Sequence, residues 1–193
     1  MNDFIQWFTT GDEQLLLTIN GGGTPAMDAF WLFVTGKWNW LPLYALLLAW
    51  VWKVAGKQGF IAFVVLVGIG LLLSDGGSVW LFKNTFKRLR PCHVEALATQ
   101  LRLPGGCGGL YGFVSSHAAN SFMLTGLMLG LFHKRYRWIW LMLLWAAMVG
   151  YSRVYLGVHY PTDVLFGAVY GGAVGVFLGL RGQHLVIDYA NRP

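Results

Sequence analysis

Three short segments of this sequence concentrate basic, hydroxyl and imidazole side chains within an otherwise apolar chain. Five residues of these segments have a cationic or a hydroxyl group that could bind an anion: Lys83, Arg90, Ser115, Ser116 and Arg153. Guanidinium and ammonium groups match phosphate oxygens, but two cations about 4 Å apart repel each other by about 4 kcal/mol at an effective dielectric constant of about 20. If the segments meet in space, they form a site for a multiply charged oxyanion.

Spacing along predicted helices brings some of these side chains together. Lys83 and Arg90 are seven residues apart, which corresponds to two helical turns and predicts that they share one face. His159 and Asp163 are four residues apart, and Pro161 between them suits the first turn of a helix. The Asp163 carboxylate can then accept a hydrogen bond from one ring nitrogen, which leaves the other nitrogen free as a directed nucleophile or base.

The elements that must position these residues are membrane helices. Of the 193 residues, 56% are hydrophobic and 11% are charged, whereas about 25% of a soluble domain is charged. Uncharged stretches flanked by aromatic or basic residues predict five transmembrane helices at 38–52, 58–74, 118–132, 138–152 and 164–180. The second of them is expected to continue as helix to about Lys87. The predicted fold class is therefore all-α, a polytopic membrane helical bundle, and a sixth transmembrane helix stays open.

The remaining segments predict how the chain is organised around this bundle. Short amphipathic pieces at 12–20 and 26–36, separated by a Gly-rich stretch, predict N-terminal interfacial helices within residues 1–37. Residues 38–193 then form the bundle, and residues 91–114 form an extracytoplasmic loop. The start of the chain has neither a basic region nor an apolar run, so we expect no cleavable signal peptide.

The distribution of basic residues predicts the orientation. With five alternating spans, one side of the membrane receives seven cations, namely Lys53, Lys57, Lys134, Arg135, Arg137, Arg181 and Arg192. The other side also receives seven, but three of them belong to the candidate site, and it carries seven of the eight acidic residues. The positive-inside rule then places the first side in the cytoplasm. We expect a multi-pass protein of the bacterial cytoplasmic (inner) membrane, with the site facing the periplasm or cell exterior and no nucleic acid partner.

Both cysteines, Cys92 and Cys107, lie in the predicted extracytoplasmic loop. An oxidising periplasm favours a disulfide, and closing a loop of about 15 residues would stabilise the fold by about 3 kcal/mol in the chain-entropy model. Two unrelated apolar cysteines are the alternative. The sequence has no His, Cys or acidic cluster with metal-ligand spacing, so we expect neither a metal ion nor another cofactor.

The three segments resemble the motifs of the type 2 phosphatidic acid phosphatase family. The first motif, Lys, six residues, Arg-Pro, is met by Lys83, Arg90 and Pro91. The third, Ser-Arg, five residues, His, three residues, Asp, is met by Ser152, Arg153, His159 and Asp163. The second, Pro-Ser-Gly-His, is matched at Ser115 and His117. Its proline and glycine are replaced by Val114 and Ser116. The resemblance covers most of the chain after Trp38.

This resemblance implies a membrane lipid phosphatase that works through a phosphohistidine intermediate. His159 would attack phosphorus, Asp163 would fix its tautomer, and His117 would protonate the leaving oxygen and then activate water. The cationic and hydroxyl residues named first would bind the phosphate without a metal ion. Ser116 keeps the backbone N–H of the family glycine but adds a side chain, so we expect activity to survive with a shifted head-group preference.

The expected partners are the bilayer and a lipid phosphate, with undecaprenyl pyrophosphate as the first choice of substrate. A lipid A phosphate, phosphatidylglycerol phosphate and phosphatidic acid are alternatives. An anion transporter and a vanadate-dependent oxidase are alternatives of another class. Lys87 and Arg88 are assigned to head-group or solvent contacts. Glycines of the last helix predict close packing within the bundle, and they are compatible with a homodimer without implying one.

Overall fold

The computed structural model describes residues 2–187, with side chains from residue 9 onward. The described part of the chain contains helices and loops but no strand, so the predicted all-α class is confirmed. The longer helices are α1 (Asn2–Gly21), α2 (Pro25–Thr35), α3 (Leu41–Leu71), α4 (Ser116–Phe132), α5 (Leu141–Tyr155) and α6 (Pro161–Val186). Short helical turns occur at Lys37–Trp40, Pro91–His93, Glu95–Ala98 and Arg137–Trp140.

Helix α3 folds back on itself at Gly56. The backbone of Gly56 has a φ of 65°, which glycine adopts because it has no Cβ to clash. The ring centroids of Trp52 and Phe60 lie 5.2 Å apart, whereas eight residues of straight helix span about 12 Å. Helix α3 therefore consists of two legs, which correspond to the first two apolar stretches of the sequence.

Two segments are long and apolar enough to cross a membrane, the 50-residue stretch Lys37–Phe86 and the 26 residues of α6. Helices α4 and α5 have 17 and 15 residues, which is less than the roughly 20 that a span requires. Large apolar side chains point outward from the bundle, as a lipid-facing surface requires, and include Leu46, Val65, Leu144, Leu165 and Phe177. The number of crossings stays a prediction.

The second leg of α3 continues through Leu72–Gly76, Ser78–Lys83 and Asn84–Phe86. The first two of these ranges are π-helical turns, and they keep the chain helical across Gly76 and Gly77, as the sequence predicts. The helix ends at Lys87, whose backbone has a φ of 48°. The predicted shared helical face of Lys83 and Arg90 is therefore wrong, because the chain has left the helix and is extended when it reaches Arg90.

Helices α4 and α6 approach each other through glycine. A Cβ on Gly171 would lie 1.9 Å from the carbonyl oxygen of Ala119, and one on Gly175 would lie 2.1 Å from that of Met123. The two backbones are thus in contact, with no space for a methyl group between them. The predicted packing role of these glycines within the bundle is confirmed. This contact fixes the start of α4 against the start of α6, where two of the three polar segments lie.

Both N-terminal helices pack onto the bundle. Helix α1 is longer than predicted, and its Leu16 is fully buried. In α2, the ring of Trp31 lies 4.8 Å from that of Tyr151 in α5, between centroids. Val34 of α2 belongs to the same hydrophobic core as α3, α4 and α5. Helices α1 and α2 are therefore placed to form one wall of a site at the adjoining ends of the bundle helices.

Candidate active site

The three polar segments meet at one end of the bundle. They occupy the end of the second leg of α3 with the extended chain after it, the start of α4, and the connection from α5 to α6. The Nζ of Lys83 donates to Oγ of Ser116 at 2.6 Å, and the backbone N–H of Ser115 donates to the carbonyl of Asp163 at 2.9 Å. Arg90 donates to a carbonyl of the α5–α6 connection at 3.4 Å. These contacts link all three segments directly.

His159 and Asp163 form a buried pair. Nδ1 of His159 lies 3.3 Å from Oδ2 of Asp163, and the two side chains are 1% and 0% exposed. The same carboxylate oxygen accepts the backbone N–H of Tyr160 at 3.1 Å, which caps the start of α6. Burial, and then the charges of the three basic site residues, lower the pKa of His159 well below its usual value, so its ring is neutral near pH 7. The ring also hydrogen-bonds to the backbone of Gly112. In the tautomer that carries its proton on Nδ1, facing the carboxylate, Nε2 keeps the lone pair.

The backbone of the loop lies directly against this pair, and Gly112 makes that approach possible. A Cβ on Gly112 would lie 2.9 Å from Oδ2 of Asp163 and 3.2 Å from Cγ of Arg90. Two backbone hydrogen bonds hold the loop there: Gly112 N–H donates to the carbonyl of Arg88 at 2.8 Å, and Arg90 N–H donates to that of Leu110 at 3.0 Å. The loop thereby excludes solvent from one side of the His159–Asp163 pair.

Arg90 and Arg153 line a cavity of about 190 Å³ at the mouth of the site. Its other walls come from α2, from the loop and from the α5–α6 connection, and they are formed by Leu32, Thr35, Gly105, Gly106, Cys107, Gly108, Leu156 and Val158. Thr35 takes part directly, because its Oγ1 accepts a hydrogen bond of 2.5 Å from Nη1 of Arg153. Helix α2 and the loop therefore shape the access to the basic residues.

Three buried polar atoms of the site have no hydrogen-bond partner among the described residues: Nε of Arg90, Nε of Arg153 and Oγ of Ser115. An unpaired buried donor costs about 1–3 kcal/mol, which an oxyanion accepting from it would offset. Burial also lowers the pKa of Arg90, against the opposing charge of Asp163, and an anion beside its guanidinium would relieve that cost. Two guanidinium groups and a hydroxyl are a donor set that fits a phosphate.

Ser116 and His117 open helix α4 within the same cluster. Oγ of Ser116 lies 2.6 Å from both Nζ of Lys83 and Oγ of Ser78, so this hydroxyl contacts the lysine and does not lie free in the cavity. His117 is close enough to Arg153 to interact with it electrostatically. All eight predicted catalytic and phosphate-binding residues thus come together at one end of the bundle. Ser78 also belongs to this cluster, and no motif predicts it, because it is a single buried hydroxyl in an apolar helix.

Arg88 is a site residue, and the prediction that it contacts head groups or solvent is wrong. Its Nη1 donates to Oδ1 of Asp163 at 2.8 Å, and its Nη2 donates to Oδ2 of Asp12 at 2.6 Å. Its guanidinium carbon lies 3.8 Å from the ring centroid of Tyr160. Arg88 and Arg90 are two residues apart, and side chains at that spacing project to the same side only in an extended segment, whereas the sequence predicts a helical relation between Lys83 and Arg90. No motif or spacing near Asp12 predicts that it belongs to the site.

The loop that closes the cavity is held by covalent and polar contacts. Cys92 and Cys107 are joined as a disulfide with their Cα atoms 5.8 Å apart. Asn20 of α1 donates to the carbonyl of Arg102 at 2.8 Å and accepts the Arg102 backbone N–H at 2.8 Å. Nη2 of Arg102 also donates to Oδ2 of Asp28 in α2 at 2.5 Å. The loop is therefore anchored to both N-terminal helices.

Known proteins are similar to this chain in sequence and in fold. Residues 58–183 match a family model described as the PAP2 superfamily. The chain is 38% identical over 178 residues to the lipid A 4'-phosphatase of Bacteroides thetaiotaomicron, which covers 89% of this chain and 76% of that protein. It is 27% identical over 179 residues to the undecaprenyl-diphosphatase of Sulfolobus acidocaldarius, with 87% and 76% covered. The crystal structure of a PAP2-type phosphatidylglycerolphosphate phosphatase from Bacillus subtilis shares the fold, with a TM-score of 0.66 and 21% identity over 89% of this chain and 84% of that one.

Proposed function

This chain belongs to the PAP2 superfamily and is a membrane lipid phosphatase, and we propose that it removes a phosphate from a lipid A-type glycolipid with His159 as the nucleophile. One observation carries the proposal. A buried, neutral His159 lies 3.3 Å from Asp163, next to two arginines whose buried Nε atoms have no partner among the described residues. A phosphate held by those arginines would meet the free lone pair of the imidazole.

The reaction follows from the placement of these groups. Nε2 of His159 attacks phosphorus in line and forms a P–N bond, while Nδ1–H stays hydrogen-bonded to Asp163 and the carboxylate stabilises the charge that develops on the ring. Burial, and then the charge of Arg153, lower the pKa of the His117 ring to about 3, so His117 takes up a proton only when the negatively charged phosphate binds beside it. The bond from phosphorus to the ester oxygen breaks, and His117 gives that proton to the oxygen. His117 then takes a proton from water, which attacks the phosphohistidine and releases inorganic phosphate and neutral His159.

The basic residues stabilise the charge on the phosphoryl group during both steps. Phosphoryl transfer depends mostly on positioning and on electrostatic stabilisation of the equatorial oxygens. Arg90 and Arg153 offer unpaired Nε–H donors, and Ser115 adds an unpaired hydroxyl. Lys83 is held 2.6 Å from Ser116 and supplies the third charge. These cations do the work that a divalent ion performs in metal-dependent phosphatases.

The choice of lipid A as substrate rests on sequence similarity. The relative whose name specifies lipid A is 38% identical to this chain, and the relative named for undecaprenyl diphosphate is 27% identical over a similar length. Undecaprenyl pyrophosphate, the first choice from the sequence, is therefore kept as the second candidate. The walls built from α2 and the loop adjoin the two arginines, so they are placed to contact the head group that carries the phosphate.

We also propose that the site faces the periplasm of a bacterial inner membrane. Helix α4 runs from the site to its far end at Phe132. At that end, Trp50 packs against Tyr136 and Trp138 with ring centroids 4.9 and 5.0 Å apart, so the Gly56 fold and the α4–α5 connection adjoin. Five of the basic residues predicted to be cytoplasmic flank these two places, namely Lys53, Lys57, Lys134, Arg135 and Arg137, and this supports the orientation by the positive-inside rule. Arg192, which belongs to the same predicted set, lies outside the described residues.

The test is phosphate release by the purified protein in detergent micelles with a chelator present. The panel is lipid A carrying both phosphates, undecaprenyl pyrophosphate, phosphatidylglycerol phosphate and phosphatidic acid, with products identified by mass spectrometry. We expect the highest kcat/KM on lipid A, with loss of one phosphate, and inhibition by vanadate. His159→Ala should lower kcat by at least about 1,000-fold. His133→Ala is the matched control, because that ring contacts the Leu129 carbonyl at the far end of α4.

Separate outcomes of this experiment test the nucleophile, the substrate and the independence from metal ions. Near-normal turnover by His159→Ala would show that another group is the nucleophile. A much higher kcat/KM on undecaprenyl pyrophosphate than on lipid A would overturn the substrate and support the second candidate. Loss of activity on adding the chelator, restored by a divalent ion, would contradict the metal-independent reaction.

A further inference from the structure

We propose that Arg88 and, through it, Asp12 of α1 are positioning residues, which hold Asp163 in the orientation that His159 requires. The inference rests on the proposed function in one respect, the role of His159 as nucleophile. It concerns residues that are not fixed positions of the family motifs, because Arg88 is one of the six unspecified residues of the first motif and Asp12 lies outside the matched range 58–183.

The four side chains form one continuous chain of contacts. Nη2 of Arg88 lies 2.6 Å from Oδ2 of Asp12, and Nη1 of Arg88 lies 2.8 Å from Oδ1 of Asp163. The other oxygen of Asp163 lies 3.3 Å from Nδ1 of His159. A guanidinium is planar and rigid, so a group held at one edge of the fork is fixed relative to a group held at the other. Asp12 and Asp163 are therefore positioned relative to each other by Arg88.

Burial makes this arrangement costly to lose. The side chains of Asp12 and Asp163 are 2% and 0% exposed, and that of Arg88 is 27% exposed. Buried carboxylates persist as charges only when they are paired and hydrogen-bonded, and Arg88 is the ion-pair partner of both. Arg88 is itself fixed by a 2.7 Å hydrogen bond to Thr162 and by its stacking 3.8 Å from the ring centroid of Tyr160.

The two oxygens of Asp163 have separate partners, and this links Arg88 to the nucleophile. Oδ1 accepts from Arg88, whereas Oδ2 accepts from the backbone N–H of Tyr160 and faces His159. Removing Arg88 would leave Oδ1 buried without its charged partner, and the carboxylate would turn about its last torsion to find another donor. That rotation moves Oδ2 away from His159, whose tautomer and ring orientation are then no longer fixed.

Asp12 holds Arg88 in place from the other side. Its Oδ1 accepts the backbone N–H of Thr162 at 2.9 Å, and its Oδ2 accepts from both the Thr162 hydroxyl and Arg88. Asp12 thus joins α1 to the first turn of α6, one residue before Asp163. Asp12 carries the only acidic side chain that Arg88 contacts besides Asp163 in the described part of the chain.

The test compares Asp12→Asn, Arg88→Gln and Arg88→Lys with the matched control Glu13→Gln. Glu13 follows Asp12 on α1, so this control removes the same charge from the same helix. Activity is measured on whichever lipid phosphate of the panel the protein hydrolyses fastest. Residues that orient a reacting group through another side chain typically contribute about 10–100-fold. We expect kcat to fall by about 10–100-fold in Asp12→Asn and in Arg88→Gln, while KM stays within about twofold of the wild-type value. In Arg88→Lys the fall in kcat should be smaller. In the control, kcat should be unchanged.

A double variant distinguishes positioning from simple anchoring of α1. If Asp12 acts through Arg88, the Asp12→Asn/Arg88→Gln protein has the same kcat as Arg88→Gln alone. A merely structural Asp12 would add its own loss, or would lower the thermal midpoint while leaving kcat of the folded fraction unchanged. If Arg88→Gln fails to fold, the kcat and KM of Asp12→Asn and Arg88→Lys decide the question.

Failure of this inference is distinguishable from failure of the proposed function. Wild-type kcat in a folded, monodisperse Asp12→Asn or Arg88→Gln protein overturns the positioning role, whatever His159→Ala does. Full activity of His159→Ala in the same assay overturns the nucleophile instead.

Discussion

A methyl group added at Gly171 is expected to force α4 and α6 apart, whereas the same group at Gly172 is expected to be harmless. The new Cβ at Gly171 would lie 1.9 Å from the carbonyl oxygen of Ala119 and 2.6 Å from its carbonyl carbon. Both are backbone atoms, so no change of rotamer relieves the clash. Gly172 has no atom within 4 Å of its Cβ position and is the matched control on the same helix.

The expected magnitude follows from these distances. A carbon–oxygen contact is ordinarily about 3.3–3.6 Å, so the backbones must separate by about 1.5 Å at Gly171. That shift also loosens the contact at Gly175, where a Cβ would lie 2.1 Å from the Met123 carbonyl oxygen. Overpacking costs about 1–3 kcal/mol, and we expect the upper end here, whereas alanine at Gly172 gains up to about 1 kcal/mol of helix propensity. The two variants should differ by about 3–4 kcal/mol in free energy of unfolding.

The assay is unfolding of each purified variant by titration with SDS in detergent micelles, followed by the fluorescence of the ten tryptophans. Phosphate release is measured in parallel, because α4 and α6 begin at the active site and a displacement of about 1 Å lowers catalysis by up to about 100-fold. Equal stability of the two variants, or a more stable Gly171→Ala protein, would refute the close backbone contact described above.

Two further predictions concern the site itself. Replacing Ser116 by Ala removes the 2.6 Å hydrogen bond to Lys83, worth about 1.5–3 kcal/mol for a charged donor, so we expect KM to rise by about tenfold or more with kcat changed less. Ser116→Gly should behave alike in steady-state kinetics, and an unchanged KM in both would show that the hydroxyl does not order Lys83. Burial lowers the pKa of His159 and lowers that of His117 to about 3, whereas it raises the pKa of Asp163 to about 6. From pH 6.5 toward pH 5 the unfolded chain therefore binds a proton at each of the two histidines that the folded chain does not bind, and the folded chain binds one at Asp163 that the unfolded chain does not. The net effect is one proton, so the free energy of unfolding should fall by up to about 1.4 kcal/mol per pH unit over this range. His159→Gln should show a shallower slope in SDS titrations at each pH, and an identical slope would contradict a neutral, buried imidazole.

The sequence by itself predicted the candidate reacting groups and determined the class of fold. His159 and Asp163 are four residues apart at a helix start, so their contact is local and follows from helix geometry. The apolar stretches predict membrane helices, because hydrocarbon excludes charge, and the cations that interrupt them therefore mark the site. Membership of the family could be predicted from the same residues, since motif spacing is a property of the chain alone.

Contacts between distant segments were decided only by the tertiary structure. Arg88 was assigned to head-group or solvent contacts, yet it joins Asp163 to Asp12, which lies 76 residues before Arg88 in the chain. Lys83 and Arg90 converge on the site although the helix ends between them, because backbone pairing in the loop redirects the chain. Gly171 and Gly172 are adjacent and identical in type, and only the approach of α4 makes them differ. Local spacing fixes which residues can react, whereas the direction of a long side chain and the space beside a glycine depend on elements packed from elsewhere in the chain.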